Sequence, residues 1–388
     1  EHYAAAEAIG NEGIVLLKNA PVAKKSSALL PLKNDCQNIL VVGDNATRKL
    51  NEGGGSSELK VKDMVSPLDG LRAIYGDRVK YAQGYAAGQP MYGSVNEIPQ
   101  EVQDKLRAEA VAMAKDADVV ILVGGLNKNH LQDCEGGDRQ SYGLPFGQEK
   151  LIEELQAVNK NLVLVLLSGN AVEMPWIDKV PAIVQGWYLG SMGGKSIANV
   201  LSGKVNPSGK LPFSFPVKLT DNGAHSFDSL CYPGDGVKQV YKEDILVGYR
   251  WHDTKKIPAA FAFGHGLSYT TFEYGKAVAS AKKMTADDQL EISVKVKNTG
   301  AVAGKEVVQL YIGDDKSSVV RPLKELKHFQ KIALNPGEEQ TVTFIVSADD
   351  LKYYDEATKD WKAEAGKFKA YIGSSSADIR TVVPFVLE

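Results

Sequence analysis

Cysteine is scarce in this 388-residue chain, and its placement excludes most cysteine chemistry. Cys36, Cys134 and Cys231 lie far apart, match no zinc spacing and are too few for a disulfide scaffold. One disulfide stays open, with an odd thiol left over. Long apolar runs are missing too: no stretch approaches the roughly 18 apolar residues of a membrane-spanning helix. No signal peptide is visible either. Neither sign of charge is in excess, because 45 Lys and Arg stand against 48 Asp and Glu for a net charge of -3. With the charges mixed throughout, no basic face recommends nucleic acid and no charged tail an electrostatic partner. A neutral or sugar-like ligand fits better. No G-x-S-x-G elbow occurs, which removes an α/β-hydrolase esterase. The glycine-rich "NEGGGSSE" (51–58) lacks both the Lys-Ser/Thr ending of a P-loop and the spacing of a dinucleotide fingerprint.

What is present reads as a folded chain long enough for two domains, 44% hydrophobic and 24% charged. The opening "EHYAAAEAIGNEGIVLLKNA" has helical spacing and no initiator Met, which predicts a cut or processed chain. From Ile39 to about Phe215, short apolar runs alternate with one-sided helical segments. The runs are "NILVVGD" (38–44), "RVKYAQG" (78–84), "DVVILVGG" (118–125), "NLVLVLLSG" (161–169) and "PAIVQGWY" (181–188). Between them "PLDGLRAIYG", "QEVQDKLRAEAVAMAKDA", "GQEKLIEELQAVNK" and "GGKSIANVLSGK" carry apolar residues three and four apart. This alternation predicts an α/β domain over 1–220, a mostly parallel sheet sandwiched by helices. A Gly- and aromatic-rich connecting segment follows over 221–275. From 276 to 388 the period becomes two, in runs such as "LEISVKVKNTG", "KEVVQLYIGD" and "EQTVTFIVS". That pattern predicts an all-β sandwich of immunoglobulin or fibronectin III type.

One loop concentrates candidate chemistry. "LQDCEGGDRQSYGLPFGQ" (131–148) follows the apolar run Val119 to Val123, where open α/β sheets hold their ligands. Glu135 sits at its centre between Cys134 and two glycines. A loop glutamate taken alone is more often simply solvated. Cys134 reads as a small packed residue, since no histidine pairs with it convincingly. His130 and His265 are isolated, so no metal is expected. Trp176 and Trp187 read as core or interface residues, and Trp251 and Trp361 fall in the connection and the sandwich. None of the four is a sugar subsite by position alone.

An ordered set of motifs changes the weighing. "GIVLLKN" (13–19), "LPL" (30–32), "GGGSS" (53–57), "EGGDR" (135–139), "NPSGKLPFSFP" (206–216), "VGYRWHD" (247–253), "FGHGLSYTTFEY" (263–274) and "LKELKHFQKIALNPGE" (323–338) appear in turn. Together they resemble the C-terminal half of family 3 glycoside hydrolases, of the β-glucosidase and β-xylosidase type. The resemblance covers nearly the whole chain. It implies an α/β sandwich domain followed by a fibronectin III-like domain, with a preceding TIM barrel supplied by the same gene or another chain. The family's nucleophile, an Asp within a motif close to Ser-Asp-Trp, has no counterpart here.

By the same resemblance Glu135 is the general acid/base of a retaining exo-β-glycosidase, needing no cofactor. Retention requires two carboxyl groups about 5 to 5.5 Å apart, one of them first a proton donor and then a base. A donor must be protonated near neutral pH, so its surroundings have to raise its pKa toward roughly 6. Asp138 and Arg139 are expected to form an ion pair or a loop anchor that orients Glu135, and Gly54, Gly55 and Ser56 to line the rim of a sugar pocket. The expected substrate is a β-linked oligosaccharide or glucoside with a terminal β-D-glucosyl residue. A β-xyloside is the alternative, and so is a non-catalytic carbohydrate-binding or interaction module that has lost its barrel. No nucleic acid or membrane partner is expected, and homo-oligomerisation stays open. The family's frequent secretion implies a periplasmic or extracellular location.

Overall fold

The five apolar runs between Ile39 and Gln185 are the strands of one sheet, and their composition explains it. Parallel strands covered on both faces need continuous rather than alternating apolar sequence. The computed structural model describes residues 1–22, 27–49, 56, 58–88, 97–129 and 131–388. In order these give α1 (His2–Gly13), β1 (Val15–Asn19), β2 (Ile39–Val42), α2 (Pro67–Tyr75), β3 (Val79–Ala82) and α3 (Gln100–Ala114). Then come β4 (Val119–Gly125), α4 (Gln148–Val158), β5 (Leu162–Leu167), β6 (Ala182–Gln185) and α5 (Gly193–Leu201). The six strands lie in the order β1-β6-β5-β4-β2-β3. All neighbours are parallel except β1, which runs antiparallel to β6 at the edge. Every residue of β4 and β5 is buried.

Local signals set the helices. Ser66 caps α2 by accepting from Asp69 N while the Asp69 carboxylate accepts from Ser66 N, and Pro67 opens the first turn. This helix packs on α5 through two glycines that leave no room for a side chain. A Cβ on Gly194 would lie 2.0 Å from Ser66 O, and one on Gly70 would lie 2.1 Å from Gly194 O. The close crossing therefore depends on both residues lacking a Cβ.

The chain divides into two compact units, Glu1–Gly209 and Lys210–Glu388. The second contains a short helix, Tyr249–Lys255, two larger sheets and two short two-stranded ones. One sheet holds Leu290–Asn298 against Glu339–Val346, and the other runs from Glu325–Leu334 through Gly304–Asp314 and Gly366–Gly373 to Ile379–Leu387. Alternate residues of both point into one core that includes Ile292, Val294, Leu310, Phe344, Phe368 and Phe385. "SGKLPFSFP" contributes the short strand Phe215–Pro216, paired with Ala259–Phe261. "FGHGLSYTTFEY" ends in Phe272–Tyr274, which joins the edge of Leu290–Asn298. All three cysteines are free. Among the described residues no helix is long and apolar enough to cross a membrane.

Candidate active site

Of the loops that leave the carboxyl edge of the sheet, four bring a residue to one place: Ser56 after β2, the acidic loop after β4, Gly169 to Ala171 after β5, and Tyr188 after β6. This is the edge at which open α/β sheets build ligand sites. The acidic loop folds into a tight turn, with Cys134 and Gly137 in an antiparallel bridge and Gly137 N donating to Cys134 O at 3.3 Å. Gly136 takes a φ of 72°, a conformation that glycine adopts without strain. Glu135 sits at the exposed tip of this turn.

Both stems of the turn are pinned to the same neighbouring loop. Asp133 accepts from Gly169 N at 2.6 Å, from Asn170 Nδ2 at 2.9 Å and from the Tyr188 hydroxyl at 2.9 Å. Arg139 donates through Nη2 to Asn170 Oδ1 at 2.5 Å and to Ala171 O at 2.8 Å. Its guanidinium also lies over the Tyr142 ring, 5.9 Å from the centroid. Burial pushes the Arg139 guanidinium down and the Tyr188 hydroxyl up, and the Asp133 carboxylate counters the first and adds to the second. The turn that carries Glu135 is thus fixed at its base and exposed at its tip.

Arg139 ties the base of the turn to the loop after β5. The guanidinium turns to Asn170 and Ala171 rather than to Asp138, whose side chain is exposed and whose carbonyl accepts from Gln140. An ion pair between neighbours would have left Asn170 and Ala171 unanswered at the base of the turn. Asp133, Asn170 and Tyr188 are site residues that the sequence reading missed. The available signal was position, since "SGN" (168–170) and Tyr188 follow buried strands at the same sheet edge as the acidic loop.

Ser56, expected at the rim, is brought to the acid. Its backbone N–H donates to Glu135 Oε2 at 2.5 Å. The Ser56 hydroxyl and N–H together hold the Glu135 carboxyl below the usual carboxylate range. This runs opposite to the rise that a proton donor requires, because in this chain the tip faces solvent and two donors favour its charged form. Gly54 and Gly55 lie outside the described residues, as does His130. Cys134 donates weakly to Glu135 O, and burial pushes its thiol up, with Glu135 and Glu58 adding to the rise. It is a neutral thiol rather than a nucleophile at neutral pH. No cluster of three His, Cys, Asp or Glu among the described residues has the placement to hold a metal ion. Trp176 is core, Trp187 donates to Gly13 O at 3.0 Å, and Trp361 stands exposed on the second unit.

Comparison with known proteins matches this architecture. Residues 14–269 fit the model of the glycosyl hydrolase family 3 C-terminal domain, and residues 306–376 that of the fibronectin type III-like domain. The chain belongs to glycosyl hydrolase family 3. Among family 3 relatives, β-glucosidase BoGH3A of Bacteroides ovatus is 61% identical over 386 residues, covering 99% of this chain and 52% of that protein. The thermostable β-glucosidase B of Acetivibrio thermocellus is 41% identical over 380 residues, covering 97% of this chain and 47% of its own length. The crystal structure of a selenomethionine-labelled β-glucosidase from Kluyveromyces marxianus superimposes with a TM-score of 0.89 at 30% identity, covering all of this chain and 61% of that one. The chain therefore spans about half the length of the relatives it matches.

Proposed function

We propose that this chain is the acid/base-bearing portion of a retaining exo-β-glycosidase that releases terminal β-D-glucosyl residues, with Glu135 as acid and base. The observation that carries the reading is the placement of Glu135, exposed at the tip of a turn whose stems are both tied to the loop after β5. The carboxylate takes two donors from Ser56 but makes no ion pair among the described residues, so it is held without being neutralised. The β-glucosidase names of the relatives support the substrate class.

The chemistry needs a second carboxylate, expected on a TIM barrel beyond this chain. Placed about 5 to 5.5 Å away, its negative charge raises the Glu135 pKa and keeps the proton available for the leaving oxygen. When that carboxylate becomes an ester with the sugar, its charge disappears and the Glu135 pKa falls again. The same residue then accepts a proton from the attacking water. Ser56 favours this second, ionised state, and the exposed tip leaves access for a barrel to cover the first.

The test is complementation. Polypeptide carrying the barrel of a family 3 relative, mixed with this chain, is expected to release aryl aglycone from a β-glucoside, and proton NMR of the first product should show the β-anomer. An α-anomer, or turnover unaffected by Glu135→Ala, contradicts the assignment.

A further inference from the structure

Two contacts join the chain around Ser56 to the loop after β4. One is the Ser56 N–H on Glu135 Oε2. The other lies two residues past Ser56, where Lys128 Nζ donates to Glu58 Oε1 at 2.9 Å. Lys128 stands on a closely tied turn at the end of β4. Its neighbours Asn127 and Asn129 are both buried. Asn127 accepts from Asn129 N through Oδ1 and from Asp133 N through its carbonyl, each at 3.0 Å. Asn129 Nδ2 donates to Ala87 O at 2.5 Å, and Asn45 Nδ2 to Leu126 O at 3.0 Å. The Lys128 side chain is 18% exposed and that of Glu58 56%. The ammonium is therefore set by its mount, and the carboxylate is brought to it.

Neither charge of this pair acts on Glu135 directly. Among the described residues the Glu135 carboxyl is lowered by the Ser56 hydroxyl and N–H alone, with burial opposing them and no charged side chain contributing. Glu58 nevertheless reaches the acidic turn, because its carboxylate adds to the rise of the Cys134 thiol next to Glu135. What the pair supplies is placement of the chain at Ser56. We propose that Lys128 is a positioning residue: by holding Glu58 it keeps the Ser56 N–H on the Glu135 carboxylate. Such a bond to a charged acceptor is strong but weakens steeply once its angle is lost, so a small shift of the chain at Ser56 is felt at the acid. The consequence for catalysis rests on the glycosidase reading above. The ionised carboxylate is the form that accepts the proton of the attacking water, and Lys128 favours that half of the reaction.

The test follows the Glu135 carboxyl of this chain by carbon-13 NMR titration in Lys128→Met, in Glu58→Ala and in the exchanged pair Lys128→Glu with Glu58→Lys. Both single variants are expected to raise the Glu135 pKa by roughly 0.2 to 0.7, the scale of a part-exposed ion pair. The exchanged pair should bring it at least halfway back. Glu58→Ala decides between placement and direct charge: losing a negative charge that acted through space would lower the Glu135 pKa, whereas releasing Ser56 raises it. Because Glu58 is more than half exposed, its variant reads the pair even if Lys128→Met disturbs the turn. The Ser56 amide signal should move together with the pKa in each single variant. A fall or no change in Glu58→Ala, an unmoved Ser56 amide, or an exchanged pair no closer to the parent than the single variants overturns the proposal. The titration needs no barrel and no turnover, so it holds or fails apart from the glycosidase reading.

Discussion

Asp133 and Arg139 hold opposite ends of one side chain: Asn170 donates Nδ2 to Asp133 Oδ1 at 2.9 Å and accepts Arg139 Nη2 on its Oδ1 at 2.5 Å. The acidic turn between them closes like a clasp on a single amide. Asn170→Ala leaves both charged groups short of a partner, and the loss is expected to be about 1 to 3 kcal/mol. Thermal unfolding of the variant checks it. Asn170→Asp keeps the acceptor for Arg139 but sets a carboxylate against Asp133, so it should restore less than half of the loss.

Ser56 controls the ionisation of Glu135 in this chain. Removing the hydroxyl in Ser56→Ala takes away one of its two stabilising donors, so the Glu135 pKa is expected to rise toward the ordinary glutamate value. Carbon-13 NMR titration of the side-chain carboxyl reads this directly. Addition of a complementing barrel should move the same signal upward by more than the Ser56 change does, and a fall on complex formation contradicts the proposed proton donor.

The crossing of α2 and α5 tolerates no Cβ at Gly194, since one would lie 2.0 Å from Ser66 O. Gly194→Ala must push the helices apart or disrupt the cap of α2. The expected loss is about 3 kcal/mol or more, at the upper end for overpacked cores. Gly76→Ala is a useful contrast: nothing lies within 4 Å of its added Cβ, but its φ of 61° still makes the change strained. With ψ at -135° its backbone lies outside the left-handed helical region, so the strain alone is expected to cost about 1 to 3 kcal/mol, and circular dichroism melts compare the two.

In the β-sandwich unit, Glu364 accepts from Ser318 N at 3.0 Å, from the Ser318 hydroxyl and from the Tyr353 hydroxyl at 3.0 Å. The Ser318 bonds pull its pKa down to about 2, from 4.5. A folded-state pKa below the unfolded one stabilises the fold above the unfolded value, and that contribution fades as pH falls from about 4.5 toward 2. Glu364→Gln should remove this component, so the variant and the parent converge in stability at the acid end of the window. Urea midpoints measured across it check the sign.

Much of the fold is legible in the sequence because its signals are local and strong. The five apolar runs of the first unit are short and continuous, the four one-sided helices repeat apolar residues three and four apart, and each forms where the sequence places it. β1 was legible only as a motif: "VLLKN" follows α1 after one residue and reaches its partner β6 some 165 residues on, as an antiparallel edge that no local period announces. Glu135 could be singled out because "EGGDR" is contiguous. Asp133, Asn170 and Tyr188 could not, because what joins them is the side-by-side order of β4, β5 and β6, a property of the sheet rather than of any one segment. The pKa of Glu135 was beyond sequence reasoning for the same reason, since Ser56 reaches it across 79 positions.

The most direct test of the central claim is the dependence of kcat/KM on leaving-group acidity, measured on the complemented enzyme with a series of aryl β-glucosides. If Glu135 hands its proton to the departing oxygen, Glu135→Gln should cost roughly 10² to 10⁴-fold for a poorly acidic phenol and far less for an activated nitrophenol. Equal losses across the series contradict the account.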